Sequence, residues 1–219
     1  ASLRRLKAFP PFNALHKKFF TTPEAIQLFN RYATYNGSDP YRAPGTMAVI
    51  SHLEHNHGAF IMDKGMHHVV QSLIQLGKEL GVIFHINSPI DEILLEGRRA
   101  VGIRSGEHHH SFDRVITNMD VQPTYNKLLP SLKSPKKVIN QEKSTSALIF
   151  YWGVQGEHAN LDVHNILFSA NYKEEFQAIQ LGNVSDDPTV YIYISKKHIA
   201  GDAPSQAENW FVMINAPYD

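Results

Sequence analysis

Between residues 66 and 80, apolar side chains recur at spacings of three and four: Met66, Val69, Val70, Leu73, Ile74, Leu76 and Leu80. That period puts them on one face of a helix. Gly81, directly after the last of them, supplies the left-handed cap that ends it. A short apolar run, Ala59-Phe60-Ile61-Met62, predicts a strand before this helix and turns into it through Asp63-Lys64-Gly65. More short runs follow at Val82-Ile83-Phe84, over residues 90–95 and at Ala100-Val101-Gly102-Ile103, and a last strand ends in Arg114-Val115-Ile116-Thr117-Asn118. Turns at Gly97 and Ser105-Gly106 separate them. The block 58–120 therefore reads as strand, helix, strand and a meander of short strands.

Outside that block the pattern changes. Thr22-Pro23-Glu24 predicts a helix start, with the hydroxyl as cap and proline in the first position, leading into residues 25–32. Tyr35-Asn36-Gly37-Ser38-Asp39-Pro40 breaks that helix, and a second helix over 46–54 follows the Pro44-Gly45 turn. After Asp120, helix-like pieces around 123–129 give way to aromatic and β-branched runs over residues 147–152, 164–168, 189–194 and 210–215. Bounded by Gly, Pro and Asp, these predict strands, with a helix over 172–181 between two of them. The fold class is α+β (mixed α/β): an antiparallel sheet backed by helices, together with the inner block.

Composition narrows the function. A content of 42% hydrophobic and 11% aromatic residues supports an ordered core. Lys plus Arg and Asp plus Glu balance at 21 each, so no overall field attracts nucleic acid, and no such partner is expected. The lack of cysteine excludes disulfides, thiolate metal sites and cysteine nucleophiles. No apolar run reaches the roughly eighteen residues that span a bilayer. Residues 1–20 interleave Leu3, Leu6, Phe9, Phe12, Leu15, Phe19 and Phe20 with Arg4, Arg5, Lys7, Lys17 and Lys18, and Pro10-Pro11 splits them. Two readings stand: helical core with lysine stems laid along it, or a surface turned to a membrane.

Thirteen histidines invite a metal reading, and His52-Leu53-Glu54-His55-Asn56-His57 is the densest cluster. His52 and His55 are three apart, Glu54 points elsewhere on a helix and no second ligand group is evident, so a solvated helix end is expected and no metal. His108-His109-His110 alternates faces as a polar strand edge. There is no Gly-x-Ser-x-Gly elbow, and Asp186-Asp187 before Pro188 reads as the start of a loop rather than an acid and base pair. Hydride transfer to a flavin needs none of these, because the cofactor does the chemistry and the protein positions the substrate.

With these motifs in hand, the chain resembles the carotenoid desaturases of the bacterial phytoene-desaturase type, flavoenzymes related to amine oxidases. The resemblance is carried by residues 28–37 (LFNRYATYNG), 40–44 (PYRAP), 63–66 (DKGM), 115–120 (VITNMD), 146–153 (SALIFYWG), 164–169 (HNILFS) and 187–191 (DPTVY). Asn118-Met119-Asp120-Val121 and residues 210–215 (WFVMIN) are most like the branch that desaturates 1-hydroxycarotenoids at the 3,4 position. The resemblance implies an FAD cofactor, a carotenoid substrate, and a cytoplasmic protein in peripheral contact with the inner membrane face. It also divides the chain into a helical part of a substrate domain (1–57), an inner part of the FAD-binding domain (58–120) and an antiparallel-sheet part of the substrate domain (121–219).

Family residues transfer only where motifs match. For the cofactor, the resemblance implies Ile90, whose backbone would face the adenine, with Asn118, Asp120, Gly65 and Met66. Gly65 and Met66 match the end of a Pro-x-Gly-Gly-Met-like turn in which Met62 and Lys64 replace the proline and first glycine. Asn118 and Asp120 also stand where they would cap the following helix. Tyr151, Trp152, Phe168 and Tyr191 are candidates to line a tunnel for a long polyene, or are sheet core. Thr22 and Ile26 stand where some members carry an acidic residue and an arginine, so no catalytic acid or base is transferred. No Gly-x-Gly-x-x-Gly occurs in the 219 residues. The chain is therefore expected to be an internal piece that lacks the phosphate loop and a C-terminal flavin segment, and that is inactive alone. A non-catalytic apolar-ligand-binding or membrane-docking module is the alternative.

Overall fold

Proline and glycine punctuation sets the first elements of the computed structural model, which describes residues 10–218. Of the basic, aromatic N-terminal stretch, residues 1–9 therefore lie outside the described residues. Helix α1 (Phe12–His16) is followed by α2 (Pro23–Asn30), which has proline in its first turn. The Thr22 hydroxyl makes no capping hydrogen bond, contrary to the sequence expectation. The missing proline N–H already removes one orphan donor there. A 3₁₀ turn over Arg31–Asn36 continues α2 and stops at Gly37, whose φ is +66°. A side chain at Gly37 would also meet Ser144 and the Thr145 carbonyl at 2.9 Å, so both conformation and space require glycine. Helix α3 (Ala48–His57) follows a 3₁₀ turn at Gly45–Met47. Backbone bonds from Phe12 to Ala43 (2.8 Å) and from Asn13 to Pro40 (3.0 Å) tie α1 to the 40–45 loop over a core of Phe12, Ala33 and Ala43.

The chain divides into two compact units, residues 66–142 and the rest. The inner unit starts with α4 (His67–Glu79), ended by Gly81 at φ +81° as its pattern predicts. Strands β1 (Glu92–Glu96), β2 (Arg99–Ser105) and β3 (His108–Ser111) form an antiparallel meander in that order, turning at Gly97 and Gly106. All four residues of β3 are exposed, in keeping with a polar edge. Helix α5 (Val121–Pro123) runs into a π turn over Thr124–Leu128, and α6 (Lys136–Ile139) closes the unit.

The predicted strands at 59–62, 82–84 and 114–118 do not form. A strand exists only with a partner for its backbone donors and acceptors, and β1–β3 satisfy one another without these segments. Their side chains stay open, Ile83 at 79% and Ile116 at 94% exposure. The periodic face of α4 is also uncovered: no residue of that helix is buried.

In the other unit, β4 (Ser146–Gln155), β5 (His164–Leu167), β6 (Val190–Tyr193) and β7 (Ala207–Ala216) form an antiparallel sheet in the order β4-β7-β6-β5. β4 and β7 pair without a register break from Ser146↔Ala216 to Gln155↔Ala207. Directly paired residues share a face. Ile149, Tyr151, Phe211, Met213, Tyr191 and Tyr193 therefore lie on one side, and Phe150, Trp152, Val212 and Ile192 on the other. Ile192, Ile194 and Val212 form the sheet's buried core.

Helix α7 (Tyr172–Gln180) is capped by Asn171 and buries Tyr172, Phe176 and Ile179 against Tyr41. Its Glu175, 1% exposed, accepts hydrogen bonds from the Thr189 hydroxyl (2.6 Å), the Thr189 N–H (3.1 Å), the Ser169 hydroxyl (3.0 Å) and Asn215 Nδ2 (2.9 Å). Four donors satisfy a charge that burial would otherwise make costly, and they fix α7 to β7.

Candidate functional site

Where α2 tightens into its 3₁₀ turn, Arg31 points at the sheet. Its guanidinium carbon lies 5.9 Å from the centre of the Tyr191 ring on β6, within cation–π range. Arg31 Nε is buried with no hydrogen-bond partner, and among the described residues no carboxylate lies within ion-pair distance of this guanidinium. The Tyr172 hydroxyl on α7 is likewise buried and unpartnered, on a side chain 4% exposed. Two orphan donors whose side chains feel each other's field are unusual, since buried polar groups are nearly always paired.

Aromatic rings complete the surroundings. Tyr32 and Tyr35 stack at 5.6 Å with an interplanar angle of 7° and donate their hydroxyls to the two Glu54 oxygens at 2.7 and 3.0 Å. Behind them, Phe29 stacks on Phe20 at 4.4 Å. His16 Nδ1–H donates to Asn30 Oδ1 at 2.9 Å, and Phe12 meets the His16 ring edge-on at 4.2 Å. Burial lowers the His16 pKa, with the Asn30 acceptor opposing it, so this imidazole is neutral at pH 7.

Partial desolvation, reinforced by the hydrogen bond to Glu54, pushes Tyr35 up to about 12 although 65% of the residue stays exposed. Burial also pushes Tyr41 up to about 12, with the charges of Asp39 and Glu175 adding to it. Tyr172 and Tyr191 rise for the same first reason, although the Arg31 charge pulls both the other way. Tyr35, Tyr41, Tyr172 and Tyr191 are therefore protonated at neutral pH. Apart from the Glu54 carboxylate, which two phenols already hold, the cluster offers donors and flat apolar walls; it is built to hold and orient a molecule.

Of the candidate lining residues, Tyr151 and Tyr191 share the face that Arg31 meets. Phe211 bridges them edge-on, at 5.4 Å from Tyr151 and 6.4 Å from Tyr191. Trp152 points to the opposite face, beside Phe150 at 5.8 Å. Phe168 packs edge-on against Tyr172 at 6.0 Å. The four thus do not form one wall: Tyr151 and Tyr191 stand together, Phe168 flanks α7, and Trp152 is separate. Arg31 and Tyr172 were not singled out from sequence. The available signal was an arginine in the aromatic run Phe29-Asn30-Arg31-Tyr32.

In the inner unit, Ile90 is half-buried just before β1, and among the described residues its backbone N–H and carbonyl make no hydrogen bond, although the next N–H, that of Asp91, pairs with Arg104 at 2.9 Å. Asp120 caps α5, accepting from the Gln122 N–H at 2.9 Å. Asn118 is exposed, and so is Met66. Gly65, in the other unit, takes φ +76° in a turn closed by its N–H on the Met62 carbonyl at 2.8 Å, with open space where a Cβ would stand. Nothing among the described residues joins Ile90, Asn118 and Asp120 directly. No group of three or more His, Asp or Glu that could hold a metal ion occurs among the described residues.

Residues 1–151 match the family described as flavin containing amine oxidoreductase. The 1-hydroxycarotenoid 3,4-desaturase of Flavobacterium sp. (strain P99-3) is 49% identical over 204 residues, covering 92% of this chain and 42% of its own length. Phytoene desaturase of Neurospora crassa is 30% identical over 216 residues, covering 91% and 36%. The 4,4'-diapolycopene oxygenase of Methylomonas sp is 30% identical over 223 residues, covering 99% and 45%. The chain thus spans less than half the length of these relatives. An oxidoreductase of known structure from Methanosarcina mazei shares the fold at a TM-score of 0.68 and 14% identity, over 96% of this chain and 47% of its own. A match that runs through more than half of the chain, on a helix-and-antiparallel-sheet fold shared with that oxidoreductase, shows that the chain belongs to the flavin-containing amine oxidoreductase family.

Proposed function

We propose that this chain is part of an FAD-dependent carotenoid desaturase, contributing a substrate-holding unit and an inner piece of the flavin-binding unit. The observation that carries this reading is the 49% identity to a 1-hydroxycarotenoid 3,4-desaturase over 204 residues. Bound FAD would accept a hydride from an allylic carbon as a proton leaves the adjacent one, adding a C=C bond to the polyene.

The chain's own residues fit one side of such a cofactor. The Ile90 backbone, which has no partner among the described residues, can meet an adenine edge, and the exposed Asn118 side chain has donors and an acceptor to offer. No glycine-rich turn is available for a pyrophosphate, and the Asp120 carboxylate is already engaged in capping. The uncovered apolar side chains of α4, Ile83 and Ile116 suit a unit whose sheet is completed by further strands.

On the substrate side, the Tyr191, Phe211 and Tyr151 rings form an apolar strip suited to a flat conjugated chain. The strip carries no carboxylate or imidazole, so these residues bind and align the polyene and leave the redox step to the cofactor. On the same reading the protein works in the cytoplasm at the inner membrane face, where such substrates dissolve. Exposed Phe19 beside Lys17 and Lys18 suits a peripheral contact. No helix among the described residues is long and apolar enough to cross a membrane.

The test is expression of the full-length reading frame in a carotenoid-making host, followed by product separation and absorption spectroscopy. The expected product carries a longer conjugated system and a red-shifted spectrum. An unchanged carotenoid profile with flavin-loaded protein present overturns the proposal.

A further inference from the structure

An arginine set against a sheet, with no acid in ion-pair distance among the described residues, requires an explanation. Burying a guanidinium donor costs free energy unless an acceptor meets it. Arg31 Nε has none, and the Tyr172 hydroxyl, which lies in the field of the Arg31 charge, has none either. Replacing either group by an apolar one would remove that cost, so their retention points to an acceptor from outside the chain.

The surroundings define its chemistry. Arg31 faces Tyr191, which continues through Phe211 to Tyr151 as an apolar strip. The Tyr35 hydroxyl on this rim already donates to Glu54, so it is not free to meet a ligand. The strip beyond Arg31 is uncharged and apolar, so it suits a hydrocarbon body, and an oxygen on that body can accept from the guanidinium and from the phenol.

We propose that Arg31 and the Tyr172 hydroxyl recognise a hydroxyl oxygen on an otherwise apolar, elongated substrate, and that the Tyr191–Phe211–Tyr151 strip carries its hydrocarbon chain. This makes Arg31 a specificity-determining residue, and it rests on the desaturase reading for the identity of the apolar chain. The hydroxyl satisfies both orphan donors, while a hydrocarbon end leaves them buried and unpaired. Discrimination of that kind is strong because it penalises the wrong ligand.

The experiment compares full-length wild type with Arg31→Leu, Arg31→Gln and Tyr172→Phe on a 1-hydroxylated carotenoid and its hydrocarbon counterpart in mixed micelles. The expected result is a fall in the ratio of kcat/KM values, hydroxylated over hydrocarbon, of roughly tenfold to a hundredfold for Arg31→Leu. Smaller falls are expected for Arg31→Gln, which keeps neutral donors, and for Tyr172→Phe, which removes only the hydroxyl. An unchanged ratio, or equal losses on both substrates, overturns the inference.

A second measurement separates this inference from the desaturase reading: quenching of the 219-residue chain's tryptophan fluorescence by the same two polyenes. If full-length wild type converts neither polyene, the desaturase reading fails. A binding preference for the hydroxylated polyene that disappears in Arg31→Leu still supports the role of Arg31, and no preference overturns it.

Discussion

Replacing Glu208 by Gln will remove a pH-dependent lock on the sheet unit. Glu208 is 2% exposed on β7 and accepts four hydrogen bonds. Oε1 takes Lys197 Nζ at 2.7 Å and the His158 backbone N–H at 3.1 Å. Oε2 takes His158 Nδ1–H and Trp210 Nε1–H, both at 2.9 Å. Burial alone would raise this carboxyl's pKa. The donors from Lys197, Trp210 and His158 outweigh it and hold the group at about 2, against an ordinary 4.5. That gap corresponds to about 3 kcal/mol of stability.

The folded-state pKa lies below the unfolded one, so this stability is fully present above about pH 4.5 and is lost as pH falls toward about 2. Gln presents one oxygen and an NH₂ to the same four donors, so two of them face a donor and the Lys197 charge loses its counter-ion. The assay is urea unfolding followed by tryptophan fluorescence, because both tryptophans, Trp152 and Trp210, lie in this sheet. Wild type should exceed Glu208→Gln by about 3 kcal/mol at neutral pH and converge with it near pH 2. Parallel curves from neutral to acid pH would refute the reasoning, as would a difference at neutral pH under about 0.5 kcal/mol.

Two further predictions concern other parts of the molecule. Burial holds the His16 pKa below its ordinary 6.5, so the unfolded chain takes up the proton first and stability present above pH 6.5 falls as pH drops below it. Urea midpoints of wild type should decline on going from about pH 8 to pH 5, and His16→Gln, which keeps a donor for Asn30, should flatten that decline; equal slopes would contradict it. The 219-residue chain, with no glycine-rich phosphate loop, should leave gel filtration without a flavin absorption band after incubation with FAD, and a yellow protein would sink that expectation.

The site was less legible than the fold. Helix α4 could be read from seven residues at regular spacing and from the glycine that follows them, because a helix satisfies its own backbone. The four strands of the sheet unit were equally visible as aromatic and β-branched runs. The runs at 82–84 and 114–118 look no different in sequence, yet they stay unpaired, since a strand depends on a partner that local pattern does not name. Tyr151 and Trp152 were both legible as sheet residues, but as adjacent positions they point to opposite faces.

By itself, the sequence determined what depends on neighbours along the chain: the helix faces, the glycine turns, the balanced charge, the absence of thiol chemistry and the ordered motifs of a flavoenzyme family. Only the tertiary structure decided what depends on distant segments meeting. Arg31 is an ordinary helical arginine until β6 brings Tyr191 beneath it and α7 brings Tyr172 within the field of its charge, each more than a hundred residues away along the chain. Glu208 is an ordinary strand glutamate until Lys197 and the His158 loop close over it. Desolvation makes both matter, and desolvation belongs to the packed molecule, because it depends on which atoms exclude water from a group and not on the group's neighbours in sequence.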